Sequence, residues 1–180
     1  MRIATAFLAG LVLVVVARPA SCQETASIPK DVLKNFGYFV GDWKSESQVG
    51  DLKSEGTWSG RWGKGKNCLI RESSYSENGE MMFGSGVIGW DAAKKRIVEH
   101  VFWTKNQNYT ILWTLDAAGN LDGELTGFEE GKQFTAEAAV TKNGANECVY
   151  TSKNLAGDDI KVVFHKQPRV KGKKAKEKKE

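Results

Sequence analysis

The 180-residue sequence has little histidine and lacks the short spacings typical of metal sites and common catalytic motifs. Its two histidines, His100 and His165, exclude a zinc site built from several histidines unless carboxylates or thiols complete it. Neither Cys-x-x-Cys nor His-Glu-x-x-His occurs, and no nucleophile elbow or glycine-rich phosphate loop is recognisable. The sequence therefore predicts a protein without a metal site and without catalytic residues.

Long apolar runs are also missing, apart from one at the start of the chain. Arg2 is followed by the apolar stretch 3–16 and then by small residues up to Cys22, which is the plan of a secretory signal. The stretch is shorter than the ~20 residues that span a bilayer, so no transmembrane segment is predicted. We expect residues 1–22 to be a cleaved signal peptide and the mature protein to be secreted or periplasmic. In a second interpretation Cys22 carries a lipid anchor, although the leucine usual in lipoprotein signals is lacking.

Positive charge is concentrated at the end of the chain. The sequence carries 26 Lys and Arg against 22 Asp and Glu, a net +4, but residues 169–180 alone hold seven basic and two acidic side chains. Residues 23–168 are consequently slightly acidic. The segment 169–180 has almost no apolar residues, which predicts a disordered basic tail. Such a tail can attract an anionic surface without a folded site, and nothing indicates a specific nucleic-acid partner.

Residues 23–168 have the length of one domain, which begins with a short helix. The segment 29–37 places Val32, Leu33 and Phe36 at helical spacing on one face, and Gly37 is expected to end the helix. Such a helix can plug a barrel or act as a lid, and we expect a lid helix near residues 29–37.

Beyond the helix the apolar residues alternate, as a strand with one dry face requires. Tyr109, Ile111, Trp113 and Leu115 alternate with Asn108, Thr110, Leu112 and Thr114, and similar runs recur between regularly spaced turn signals. Counting these runs gives about ten strands of roughly eight to eleven residues joined by short hairpin loops. Closure would pair every strand edge and bury the aromatic face. We therefore predict an all-β fold, a ten-stranded antiparallel up-and-down barrel with a short N-terminal helix.

The Gly41-Asp42-Trp43 sequence at the start of the first strand resembles the Gly-x-Trp signature of lipocalins and related calycin barrels. Together with the segment 86–91, it is also similar to uncharacterised lipocalin-like domains of exported bacterial proteins, for which no activity is established. The resemblance covers residues 36–166. It implies that Trp43 seals one end of the barrel under a basic side chain from the last strand, either Lys161 or Lys166.

A calycin-like barrel of ten strands can enclose a small ligand, so side chains of its dry face are candidates for a binding site. We expect an apolar or amphipathic ligand in a monomeric, non-catalytic protein, although the same aromatic residues would also fill a solid core. The candidate lumen residues are Trp58, Tyr109, Ile111, Trp113 and Phe134, with Glu72, Glu99 and His100 for a polar group.

Two other functions are weighed against ligand binding. The first is an envelope protein with a filled barrel that works through its outer surface and basic tail. The second is a small hydrolase-like enzyme, either with a serine (Ser73, Ser74 or Ser76) beside His100 and Asp91, or with Glu72 and Glu99 as an acid/base pair.

No cofactor is predicted, and haem is kept only as an alternative. Among the calycin barrels that this sequence resembles, the ten-stranded nitrobindin-like branch holds haem through a histidine. His165 is late in the chain, as a resemblance to that branch requires, but its neighbours do not match the histidine-leucine motif of the branch.

Two cysteines remain after the signal. Cys68 and Cys148 fall on the third and ninth predicted strands, which are not neighbours, so two buried thiols are favoured over a disulfide.

Overall fold

A computed structural model describes residues 27–49, 51–77 and 79–168 of the chain. The predicted signal peptide 1–22 and the predicted tail 169–180 lie outside the described residues, so both stay predictions.

Ten antiparallel strands form one closed barrel, which confirms the predicted fold class. Each strand pairs with the next along the chain, and the last strand returns to pair with the first. The alternation of apolar and polar residues explains this closure, because it gives every strand one face for the interior and one for solvent. The strands are β1 (Gly41–Val49), β2 (Leu52–Trp62), β3 (Cys68–Glu77), β4 (Glu80–Asp91), β5 (Arg96–Trp103), β6 (Asn108–Leu115), β7 (Leu121–Glu129), β8 (Lys132–Lys142), β9 (Glu147–Lys153) and β10 (Asp159–Lys166).

The register of the strands fixes which side chains share the interior. Trp43 on β1 lies opposite Trp58 on β2, and Glu99 on β5 lies opposite Ile111 on β6. Trp43, Ile111 and Trp113 are each at most 2% exposed. The alternating apolar residues of β6 therefore face the interior, as the sequence pattern predicted.

The helix α1 (Lys30–Phe39) precedes β1 and ends two residues later than predicted. Gly37 does not end it, because Tyr38 and Phe39 continue the helix into contacts with the barrel: Tyr38 donates a hydrogen bond to the carbonyl of Glu147, and its ring packs 5.5 Å from that of Trp43. Within the described residues, no helix is both long enough and apolar enough to cross a membrane.

The position of α1 decides between a plug and a lid. Phe36 packs against Trp62 at the end of β2, and the side-chain amide of Asn35 donates to the carbonyl of Gly119 between β6 and β7. These partners lie at the end of the barrel where β1 begins, which we call the base. The opposite end, where β1 leads into β2, is the mouth. The helix is therefore a plug at the base, and its description as a lid was wrong.

The two described cysteines do not form a disulfide. Both are free thiols, at the starts of β3 and β9 as the strand count predicted. Cys148 is buried and lines the interior, as predicted, but the prediction that Cys68 is also buried was wrong, because it alternates to the outer face next to the interior residue Leu69 and is partly exposed.

Candidate functional site

The interior of the barrel holds a cavity of about 330 Å³. It extends from Phe36 and Trp43 at the base towards Trp103 and Phe128 near the mouth. The wall is mostly apolar because every strand contributes its dry face, and the side chains do not fill the space between them. Its apolar and aromatic lining includes Trp58, Ile88, Ile97, Tyr109, Ile111, Trp113, Leu125, Phe134, Tyr150, Val162 and Phe164.

The base is closed by aromatic rings under a cation. Trp43 is 2% exposed and donates its indole N–H to the carbonyl of Phe39 at 3.2 Å. The ammonium group of Lys166 lies 5.0 Å from the centroid of the Trp43 ring and donates to the carbonyl of Tyr38 at 2.6 Å. Lys166 is therefore the basic residue of the last strand that covers the tryptophan. Lys161, the alternative, is on the outer face, because it is an odd number of residues away from Lys166 along β10.

A charged pair lies on the cavity wall, among the apolar side chains. The guanidinium of Arg71 on β3 forms a salt bridge with the carboxylate of Glu99 on β5, and both side chains are more than nine-tenths buried. Arg71 also donates to the hydroxyl oxygens of Ser73 at 2.6 Å and Tyr109 at 3.3 Å. The indole N–H of Trp113 donates to the other carboxylate oxygen of Glu99 at 2.8 Å. We call these five residues the polar cluster.

Burial keeps two phenols of the cavity in their neutral form. It raises the pKa of Tyr109 and of Tyr150 above the usual value for tyrosine, because a phenolate would lose its hydration. Burial alone would lower the pKa of Arg71, but Tyr109 and Glu99 raise it, so the guanidinium stays charged. The polar cluster therefore holds one cation and one anion beside neutral hydroxyl groups.

The sequence-predicted lumen residues divide between the two faces. Trp58, Tyr109, Ile111, Trp113, Phe134 and Glu99 all line the cavity.

Glu72 and His100 were wrongly placed in the lumen, because each follows an inward residue, Arg71 or Glu99, and so points outward from its strand. His100 is exposed and shares a 2.8 Å hydrogen bond with Thr110.

Sequence reasoning missed Arg71 and considered Ser73 only as a catalytic serine, not as a residue of the lumen. Leu69 and Ile70 are both apolar, so the alternation of β3 is ambiguous at its start, and the inward face of this strand cannot be read from its own sequence. One signal could have found Arg71. Because buried charged groups are paired, a carboxylate expected in the lumen, such as Glu99, predicts a basic side chain beside it.

The residues considered for catalysis are not brought together. Ser73 faces the cavity, whereas His100 is outside, and Asp91 accepts hydrogen bonds from the backbone of residues 93 and 94 in its own turn. The hydroxyl group of Ser74 shares a hydrogen bond with that of Thr57 on the outer face of the barrel.

Ser76 belongs to the same outer face of β3 as Ser74, two residues away. The proposed carboxylate pair is split as well, because Glu72 and Glu99 lie on opposite sides of the wall.

Neither imidazole of the chain reaches the cavity. His165, like His100, is outside the barrel, 3.4 Å from a carboxylate oxygen of Glu147. Among the described residues, no group of three His, Cys, Asp or Glu side chains could hold a metal ion.

Solved structures share this fold at low sequence identity. Rv2717c from M. tuberculosis matches with a TM-score of 0.60 and 13% identity, over 79% of this chain and all of that one. The S-type phycobiliprotein lyase CPES from Guillardia theta matches with a TM-score of 0.53 and 13% identity, over 77% of this chain and 94% of that one. The likeness shows the fold alone. No protein-family model and no curated protein matches the sequence.

Proposed function

We propose that this chain is an exported, non-catalytic binding protein that encloses a small amphipathic molecule in its barrel. The observation that carries the proposal is the cavity of about 330 Å³, with aromatic and aliphatic walls and one polar cluster. Binding sites for small molecules in proteins have this character, and their volumes are roughly 300–1,000 Å³. The apolar part of the ligand would lie along the aromatic wall, and its polar end would reach Arg71, Ser73 and Tyr109.

Two further observations support binding over the alternatives. A filled barrel would leave no room for a ligand, and this barrel has unfilled space. An enzyme needs its nucleophile and base within hydrogen-bond reach, and Ser73 and His100 are on opposite faces of the wall.

An uncharged apolar fluorophore, N-phenyl-1-naphthylamine, tests the proposal. We expect its emission to rise on mixing with the full mature chain and to return to baseline when the cavity is blocked. Val162→Trp places an indole in the cavity, because Val162 lines it. Val163→Trp is the matched control, since Val163 is the next residue of β10 and faces outward. Uptake of the probe by Val162→Trp as strong as in the wild type would remove the cavity from consideration.

The natural ligand and the compartment are open to direct measurement. Native mass spectrometry of the protein purified from its own host should show an additional bound mass that Val162→Trp lacks. The mature N-terminus of the same preparation should be Gln23, which tests the proposed export.

A second candidate, action at an anionic lipid surface, is favoured by the outside of the barrel. Ile70, Met81, Phe83, Val87 and Phe102 are between 42% and 67% exposed on the adjacent strands β3, β4 and β5. Clusters of large exposed apolar side chains are typical of interaction surfaces. The positive charge of the basic segment 169–180 would attract anionic headgroups.

Vesicle sedimentation tests this second candidate. Vesicles rich in phosphatidylserine should carry the full chain down, and both Phe83→Ser/Phe102→Ser and truncation after residue 168 should weaken that binding. Equal recovery with neutral vesicles would count against the charge contribution, and no recovery at all would reject the candidate.

A further inference from the structure

We infer that the barrel selects ligands whose polar end is an uncharged hydrogen-bond acceptor, such as a ketone or ester carbonyl, over ligands that end in a carboxylate. The inference rests on the proposed function and specifies the ligand class of the same cavity. It follows from two properties of the polar cluster, namely which hydrogen-bonding groups it leaves for a ligand and how its charges balance.

The polar cluster offers donors to a ligand. Both carboxylate oxygens of Glu99 already accept hydrogen bonds, one from Arg71 and the other from Trp113. The hydroxyl oxygens of Ser73 and Tyr109 accept from Arg71, so their own O–H groups are directed elsewhere. The buried Nε of Arg71 has no hydrogen-bond partner. A ligand with an oxygen acceptor would receive hydrogen bonds from the two hydroxyl groups, whereas a donor-only group such as an ammonium would leave both O–H groups without an acceptor.

The charges of the cavity favour a neutral acceptor over an anion. Arg71 and Glu99 cancel each other where both are buried, so a carboxylate would add a third charge without a counterion in a poorly hydrated space. Charges nearer the mouth do not compensate it. Lys153 also lines the cavity but is paired with Asp159 at 2.7 Å, and Glu129 adds a negative group there. A carbonyl oxygen takes the same hydrogen bonds without this electrostatic penalty.

Two ligands of nearly equal shape test the inference on the wild-type protein. 2-Undecanone and decanoate carry the same nine-carbon chain on a carbonyl carbon. The other substituent of that carbon is a methyl group in the ketone and a negatively charged oxygen in decanoate. We measure displacement of N-phenyl-1-naphthylamine at about pH 8, where a carboxylate is ionised. The ketone is expected to displace the probe at a concentration about tenfold lower than decanoate.

Removing the counterion should reverse this preference. In Glu99→Gln the cation of Arg71 loses its partner, so decanoate is expected to gain affinity about a hundredfold and to bind about tenfold more tightly than the ketone. Glu72→Gln is the matched control, because it makes the same substitution one residue along β3 from Arg71 but on the exposed outer face. It should leave both affinities unchanged. A thermal melt of each variant establishes that it is folded, and the wild-type comparison stands if Glu99→Gln is not.

The outcomes separate the inference from the proposed function. Decanoate binding as tightly as 2-undecanone to the wild type would overturn the inference and leave a ligand-binding cavity in place. An unchanged preference in folded Glu99→Gln would overturn it as well. A probe that never enters the cavity would instead contradict the proposed function itself.

Discussion

Lys166, near the end of the last strand, covers Trp43, near the start of the first, with its ammonium group 5.0 Å from the ring centroid. The two residues are also direct partners in the register of β1 and β10. The contact therefore closes the barrel in two senses, because it joins the first strand to the last and seals the base beneath the cavity.

Replacing Lys166 by Met should weaken this closure. The variant loses the cation over Trp43 and the hydrogen bond to the carbonyl of Tyr38, so the free energy of unfolding should fall by about 1–2 kcal/mol. Urea unfolding followed by tryptophan fluorescence measures it. Lys161→Met removes the same charge from the outer face of β10 and should change stability by less than about 0.5 kcal/mol. Equal losses in the two variants would contradict a sealing role for Lys166.

Removing only one partner of the buried salt bridge between Arg71 and Glu99 should strongly destabilise the protein. Arg71→Met leaves the Glu99 carboxylate buried with only the indole N–H of Trp113, and we expect it to lower the free energy of unfolding by about 3–5 kcal/mol. The double variant Arg71→Met/Glu99→Gln removes both charges and should recover part of that loss. Urea unfolding of both single variants and the double variant measures the coupling. A double variant less stable than Arg71→Met would show that the pair is not coupled in this way.

A glycine on β7 makes room for one ring of the cavity wall. A Cβ atom on Gly127 would lie 2.3 Å from the ring of Phe134, its cross-strand partner on β8. Gly127→Ala should therefore push this ring towards the cavity, lower stability by about 1–3 kcal/mol and weaken uptake of the fluorophore. Gly89→Ala is the control, because no atom lies within 4 Å of its added Cβ. Chemical unfolding and probe titration of both variants provide the comparison.

The two described thiols should react at different rates. Burial raises the pKa of Cys148 to about 12, so little of its reactive thiolate forms near neutral pH, whereas Cys68 is partly exposed on the outer face. In a Cys22→Ser background, iodoacetamide at about pH 8 should modify Cys68 first, and Cys148 only after unfolding. Mass spectrometry of peptides gives the two rates.

Raising the pH tests the same assignment. Modification of Cys148 in the folded protein should accelerate as the pH is raised above about 8, because each step towards its raised pKa increases the fraction of thiolate. If Cys68 and Cys148 both stay unmodified when the protein is unfolded without a reductant, they form a disulfide, which would contradict the structure described above.

Alternation was sufficient to predict the inner face of some strands and insufficient for others. On β6, Asn108, Thr110 and Thr114 all fall on the face opposite to Ile111 and Trp113, so these polar residues mark the outer face although Leu112 shares it. On β3 the adjacent Leu69 and Ile70 give no such contrast, and Arg71 was missed for that reason.

The error at His100 has a related cause. Its strand, β5, includes the adjacent apolar pair Ile97 and Val98 and a charged residue that faces inward, so hydrophobicity alone does not fix its register. Only the pairing of Glu99 with Ile111 on β6 shows that Glu99 is inside and His100 outside.

The sequence by itself determined the number of strands and their antiparallel order, because the spacing of the turns and the period of the apolar residues are local properties, whereas closure depends on the distant pairing of β1 with β10. The tertiary structure decided which lysine covers Trp43, which end α1 plugs and which charges meet in the lumen. Those features depend on residues far apart in the chain, such as Arg71 and Glu99, whose contact exists only once neighbouring strands have settled into register.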